Sequence, residues 1–87
     1  MVIVEYSSYF VKSFRKMPRS IQEKAAELDE IFKKDPSNSL LHQKRLKGRL
    51  KGLQSFRITR NYRMLFAWKT KNTALFYEIA DRKHIYR

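Results

Sequence analysis

Apolar residues change their spacing part-way along this chain. Up to about residue 35 they recur every three or four positions, and from about residue 53 they alternate with polar ones. The first period predicts helix and the second predicts strand. Ahead of both, Val2, Ile3, Val4 and Tyr6 make a short β-branched and aromatic run that reads as an opening strand over residues 2–6. Ser7 and Ser8 offer N-cap oxygens to a helix over residues 9–16, where Phe10, Phe14 and Met17 share one side. Pro18 suits the first position of a second helix, while Ser20 with Glu23 forms a capping-box pattern, so this helix starts at either point. Its stripe is Ile21, Ala25, Leu28, Ile31 and Phe32, with Glu23, Glu27 and Glu30 off it. Pro36, in a polar cluster, ends it.

Residues 40–52 carry both glycines and a near-repeat, Arg45-Leu46-Lys47-Gly48 then Arg49-Leu50-Lys51-Gly52. They read as a loop with one turn of helix. Strands are predicted over residues 53–59, 62–69 and 74–80, joined by turns at Arg60-Asn61 and Lys71-Asn72, with a tail over residues 81–87. The order β-α-α-β-β-β predicts an α+β domain spanning residues 1–87, a small antiparallel sheet with two N-terminal helices packed on one face. Tyr6, Phe10, Phe14, Phe32, Phe66 and Trp68 follow the periodicity and are expected in the core.

Charge changes the picture. Before residue 36 there are seven basic and six acidic residues; after it there are thirteen basic and two acidic, so nearly all of the +12 sits in one part. Between Pro36 and Tyr77 there is no acidic residue. A one-sided field of this kind holds nucleic acid through its phosphates, whereas scattered charge serves solubility. Twelve aromatics are too many for a disordered basic tail, so the charge is mounted on a fold. The absence of cysteine excludes disulfides, thiolate zinc sites and a cysteine nucleophile. With no signal-peptide pattern and no apolar run of membrane-spanning length, the expectation is a soluble, cytoplasmic protein with no membrane partner.

Strand alternation places candidate chemistry. A turn centred on Arg60 pairs Phe56 with Met64 and Ile58 with Tyr62, which sets Arg57 across from Arg63 on the other face. Facing like charges destabilise a sheet unless an anion lies between them, and a phosphate is the economical anion here. Beyond the last strand, Arg82, His84 and Tyr86 place two proton carriers among cations. Lys44, Arg45, Lys47, Arg49, Lys51 and Arg60 are candidate contacts to a nucleic-acid backbone; His42, in the same loop, is expected to be solvent-exposed. Two-metal phosphoryl chemistry needs clustered carboxylates, and the basic part has only Glu78 and Asp81. No metal site and no cofactor is therefore expected. RNA suits a metal-free cut, because its own 2′-hydroxyl attacks the adjacent phosphate while the protein positions the backbone, neutralises charge and moves two protons.

Several pieces resemble the RelE/ParE superfamily of toxins from type II toxin–antitoxin pairs: the basic end of the first helix, Arg45-Leu46-Lys47-Gly48, Gly52-Leu53-Gln54-Ser55-Phe56-Arg57-Ile58, Asn61-Tyr62-Arg63-Met64-Leu65-Phe66 and the closing Arg82-Lys83-His84-Ile85-Tyr86-Arg87. The resemblance covers most of the chain. It implies a ribosome-dependent mRNA endonuclease, with mRNA and ribosomal RNA as partners and a cognate antitoxin that wraps it. By the same resemblance Arg63 is the phosphate-stabilising strand arginine, Arg57 lies near a position that is often basic, Arg82 follows the last strand, and Tyr86 and His84 resemble terminal residues that stack on a base or transfer protons. Ser55 departs from the pattern, standing where the RelE type often has a second cation. Two other readings compete: a ParE-type protein acting on DNA gyrase, and an RNA-binding domain without catalysis.

Overall fold

A computed structural model describes residues 1–85, with residues 49, 84 and 85 followed along the backbone only. The elements are β1 (Ile3–Tyr6), α1 (Ser8–Lys16), α2 (Arg19–Lys34), β2 (Lys44–Arg45), β3 (Gln54–Arg57), β4 (Tyr62–Trp68), β5 (Thr73–Asp81) and α3 (Arg82–Ile85). Short 3-10 turns occupy Ser39–Leu41 and Gly48–Leu50. The α+β architecture expected from the pattern is present, with two refinements. The sheet has five strands in the order β1-β5-β4-β3-β2, and β1 runs parallel to β5 while the other pairs are antiparallel. A two-residue strand is too short to show alternation, and strand direction is set by the route of the chain, which residue periodicity does not record.

The start of each helix follows from local chemistry. Ser7 caps α1, its Oγ accepting from the Phe10 N–H at 2.9 Å and donating to the Tyr77 carbonyl at 2.7 Å. α2 starts after Pro18 rather than through the Ser20–Glu23 box; Glu23 instead accepts from Arg19 Nε at 3.2 Å. Two positive-φ glycines explain the near-repeat: Gly48 (φ 67°) opens the 3-10 turn and Gly52 (φ 97°) leads into β3, left-handed geometries that favour residues without a Cβ.

β4 and β5 pair in register as far as Leu65↔Glu78, where a bulge intervenes before Phe66↔Phe76. The extra residue is Tyr77. A bulge re-aims side chains: Phe76 and Ile79 both join the helix-side core although three positions apart, while Tyr77 packs into the cluster on the other face. β1 ends opposite Phe76, and α1 takes over the edge that it leaves. The Ser7 N–H donates to the Phe76 carbonyl at 3.1 Å, and Ser13 Oγ accepts from the Ile79 N–H at 2.9 Å. These bonds satisfy backbone groups that the missing neighbour strand would have paired.

The core lies between the helices and one face of the sheet. Phe32 is its hub, completely buried, with ring centroids 5.6 Å from Phe56, 5.0 Å from Phe66, 5.6 Å from Trp68 and 5.2 Å from Phe76. The other aromatics expected inside are there or packed against it, except Tyr6, which is 42% exposed and donates its hydroxyl to Asp29. The opposite face carries a smaller cluster of Leu46, Leu65 and Ala80, flanked by Leu50, Leu53 and Tyr77. Among the described residues no helix is long and apolar enough to cross a membrane.

Candidate nucleic-acid interface

Residues paired across neighbouring strands point to the same side of a sheet, so the register lays out the face away from the helices in two rows. One row is Lys44, Ser55, Leu65 and Glu78; the next is Arg57, Arg63 and Ala80. Phe56↔Met64 and Arg57↔Arg63 pair as the alternation predicted, and the Ile58 N–H donates to the Tyr62 carbonyl at 3.0 Å. The two arginines differ in depth: Arg63 is 5% exposed and Arg57 is exposed. Ser55 is fully buried in this face, its hydroxyl without a hydrogen-bond partner among the described residues.

One end of the sheet gathers the cations. Arg60 lies exposed in the β3–β4 turn, and the Arg82 N–H donates to the Asn61 carbonyl at 2.8 Å, tying the start of α3 to that turn. Arg57, Arg60, Arg63 and Arg82 thus come from four stretches of chain to one edge. Lys44 and Arg45 are exposed on β2, and Lys47 and Lys51 are exposed around the Gly48 turn. Arg49 and His84 are followed by backbone alone, so roles for their side chains rest on sequence; Tyr86 lies outside the described residues. His42 is exposed as expected, in a left-handed conformation (φ 48°), and lines a small cavity of about 220 Å³ with Lys24, Glu27 and Arg57.

The basic part holds two acidic residues, Glu78 and Asp81. Among the described residues, ion pairs fall within α2 and between Lys69 and Glu5, and neither Glu78 nor Asp81 takes part in one. Asp81 Oδ1 instead accepts from the Lys83 N–H at 2.8 Å. Two groups on the helix side have shifted pKa values. Burial, reinforced by the hydrogen bond to Asp29, raises the Tyr6 phenol; at Lys33 desolvation opposes the charge but the Asp29, Tyr6 and Glu30 oxygens outweigh it and raise the ammonium.

A groove of about 870 Å³ adjoins the arginine row. Leu65, Glu78, Ala80 and Asp81 line it from the sheet, Leu50 from the loop, and Tyr9, Lys12 and Lys16 from α1. Of these three α1 residues the sequence pattern singles out only the basic end of the helix, at Lys16, and gives none of them a role. Their spacing of three and four puts them on one helical stripe beside Phe10 and Phe14, a signal that the sequence carries.

Comparison with known proteins agrees with this architecture. The ParE-like toxin domain model matches residues 19–80, and the chain belongs to that family, within the RelE/ParE superfamily. Among solved structures, YafQ from E. coli strain BL21(DE3) superposes with a TM-score of 0.80 at 14% identity, covering 100% of both chains. The RelB–RelE antitoxin–toxin complex from Methanococcus jannaschii gives 0.74 at 26% identity over 94% of each chain. A YoeB/ParE toxin from Agrobacterium tumefaciens gives 0.76 at 18% identity, covering 93% of this chain and 99% of that one. No curated protein matches the sequence.

Proposed function

We propose that this chain is the toxin of a toxin–antitoxin pair and that it cuts translated mRNA on the ribosome without a metal ion. The observation that carries the reading is Arg57 facing Arg63 across β3 and β4, at an end of the sheet where Arg60 lies in the connecting turn and the start of α3, at Arg82, is bonded to that turn. A phosphodiester placed there supplies negative charge beside the two facing guanidinium groups.

In the proposed step the RNA 2′-hydroxyl attacks the adjacent phosphorus, forming the O2′–P bond and breaking the P–O5′ bond, which leaves a cyclic phosphate and a free 5′-hydroxyl. One proton leaves the 2′-oxygen and one reaches the 5′-oxygen; His84 and Tyr86 are the proposed carriers. Arg57, Arg63 and Arg82 oppose the charge that builds on the phosphorane oxygens, an interaction stronger in the transition state than in the bound substrate. Lys44, Arg45, Lys47, Arg49, Lys51 and Arg60 contact mRNA or ribosomal RNA backbone. The chain's arginines, His84 and Tyr86 are the parts that a metal-free route needs. A cognate antitoxin with an acidic, amphipathic segment would silence the protein by covering this surface, in keeping with the antitoxin–toxin complexes among the structural neighbours.

Primer extension on a translated message tests the proposal. Cleavage should persist in EDTA and fall roughly a hundredfold in Arg63→Ala, as for loss of one transition-state donor; undiminished cleavage by that variant refutes it. The family name favours a second reading, a ParE-type action on DNA gyrase. It predicts a DNA-damage response before translation slows, the reverse of the order expected from mRNA cutting.

A further inference from the structure

Tyr9 and Tyr77 are brought together by two independent features of the fold. The β5 bulge turns Tyr77 to the face away from the helices, and the Ser7 and Ser13 hydroxyls pin α1 over the edge of that strand. The rings stack with centroids 5.6 Å apart and planes inclined by 22°. Tyr77 is held on its inner side by the Leu46–Leu65–Ala80 cluster, whereas Tyr9 remains 60% exposed at the groove wall. An aromatic ring fixed from behind and open in front is a platform for another planar group, because the orientation that stacking requires is already set.

The charges around it orient the occupant. Lys12 and Lys16 stand on the same wall, exposed and outside every ion pair among the described residues, while Glu78 and Asp81 lie on the sheet side of the groove. A phosphate chain is drawn towards the lysines and repelled from the carboxylates. These charges favour a nucleotide strand lying along α1 with its bases turned into the groove, towards the exposed face of Tyr9.

We infer that Tyr9, backed by Tyr77, is a base-stacking subsite for a nucleotide flanking the cut, with Lys12 and Lys16 holding its neighbouring phosphates. The inference rests on the nuclease reading and adds to it the path of the strand. Stacking on a side chain tolerates any base, so the subsite anchors the message without selecting its sequence.

The test uses a short, fluorescently labelled 2′-O-methyl RNA, which keeps bases and phosphates but lacks the attacking hydroxyl. Tyr9→Ala should weaken binding about tenfold, and Tyr9→Phe and Tyr9→Trp should retain it. Lys12→Gln and Lys16→Gln should each lower the slope of log affinity against log salt by about 0.7. Replacing one nucleotide at a time with an abasic linker separates a contact from a folding defect. One position should cost about tenfold with the wild-type protein and nothing with Tyr9→Ala. Abasic penalties that persist in Tyr9→Ala, or that appear at no position, overturn the subsite. So does a groove that takes up an acidic helical peptide but not this RNA. Failure of the nuclease reading shows separately, as wild-type protein that binds the RNA through Tyr9 yet leaves a translated message intact.

Discussion

The two faces of this sheet are built from the same strands but obey opposite rules. On the helix side, β3, β4 and β5 contribute Phe56, Met64, Phe66, Phe76 and Ile79, and α1 and α2 cover them completely. On the other side the same strands contribute Ser55, Arg57, Arg63 and Glu78, and a three-residue apolar cluster is the only packing core among the described residues. The first face stabilises the fold. The second brings like charges together, which a sheet optimised for stability alone avoids. Sites commonly retain such locally unfavourable arrangements because the ligand relieves them.

The division is broken most severely from the helix side. Phe32→Ala removes the ring at the centre of four aromatic contacts and should destabilise the protein by about 3–5 kcal/mol, a large share of what a small domain has. Urea unfolding of that variant, with the midpoint shifted far down or no folded baseline left, is the check. Arg63→Ala on the other face gives the converse result: the roughly hundredfold fall in cleavage proposed above, with urea unfolding still cooperative.

How much of this was legible in advance follows from which interactions are local. The Phe56–Met64 and Arg57–Arg63 pairings were readable because a short turn ties β3 to β4 and alternation does the rest. The helix stripe ending at Phe32 was readable for the same reason. The parallel placement of β1 against β5 was not, since those strands lie nearly the whole chain apart. Nor was the bulge at Tyr77, which depends on how β5 meets β4 and α1 together. That second omission hid the Tyr9–Tyr77 pair and the α1 wall, while the facing of Arg57 and Arg63, made by one short turn, was anticipated.

Smaller perturbations sharpen the boundary between the faces. Ser13→Ala leaves the Ile79 N–H without its acceptor and should cost about 1–2 kcal/mol, loosening α1 from β5. Hydrogen exchange should then quicken at Ile79 and through α1 while α2 stays protected. Smaller still is the Tyr6 effect. Its phenol pKa is raised in the fold, so the associated stability is fully present below the unfolded value of about 10 and is lost as pH rises through the folded value. Thermal melts across that range should show the loss in the wild type and a flatter profile in Tyr6→Phe.

The central claim is that Arg57 is kept for a bound phosphate at the expense of the sheet, and a paired measurement on Arg57→Ala tests it most directly. Removing one of two facing guanidinium groups should leave thermal stability unchanged or raise it by about 0.5 kcal/mol in the absence of RNA, while cleavage of a translated message falls roughly a hundredfold. A variant that is less stable yet cuts the message as well as the wild type would contradict the account.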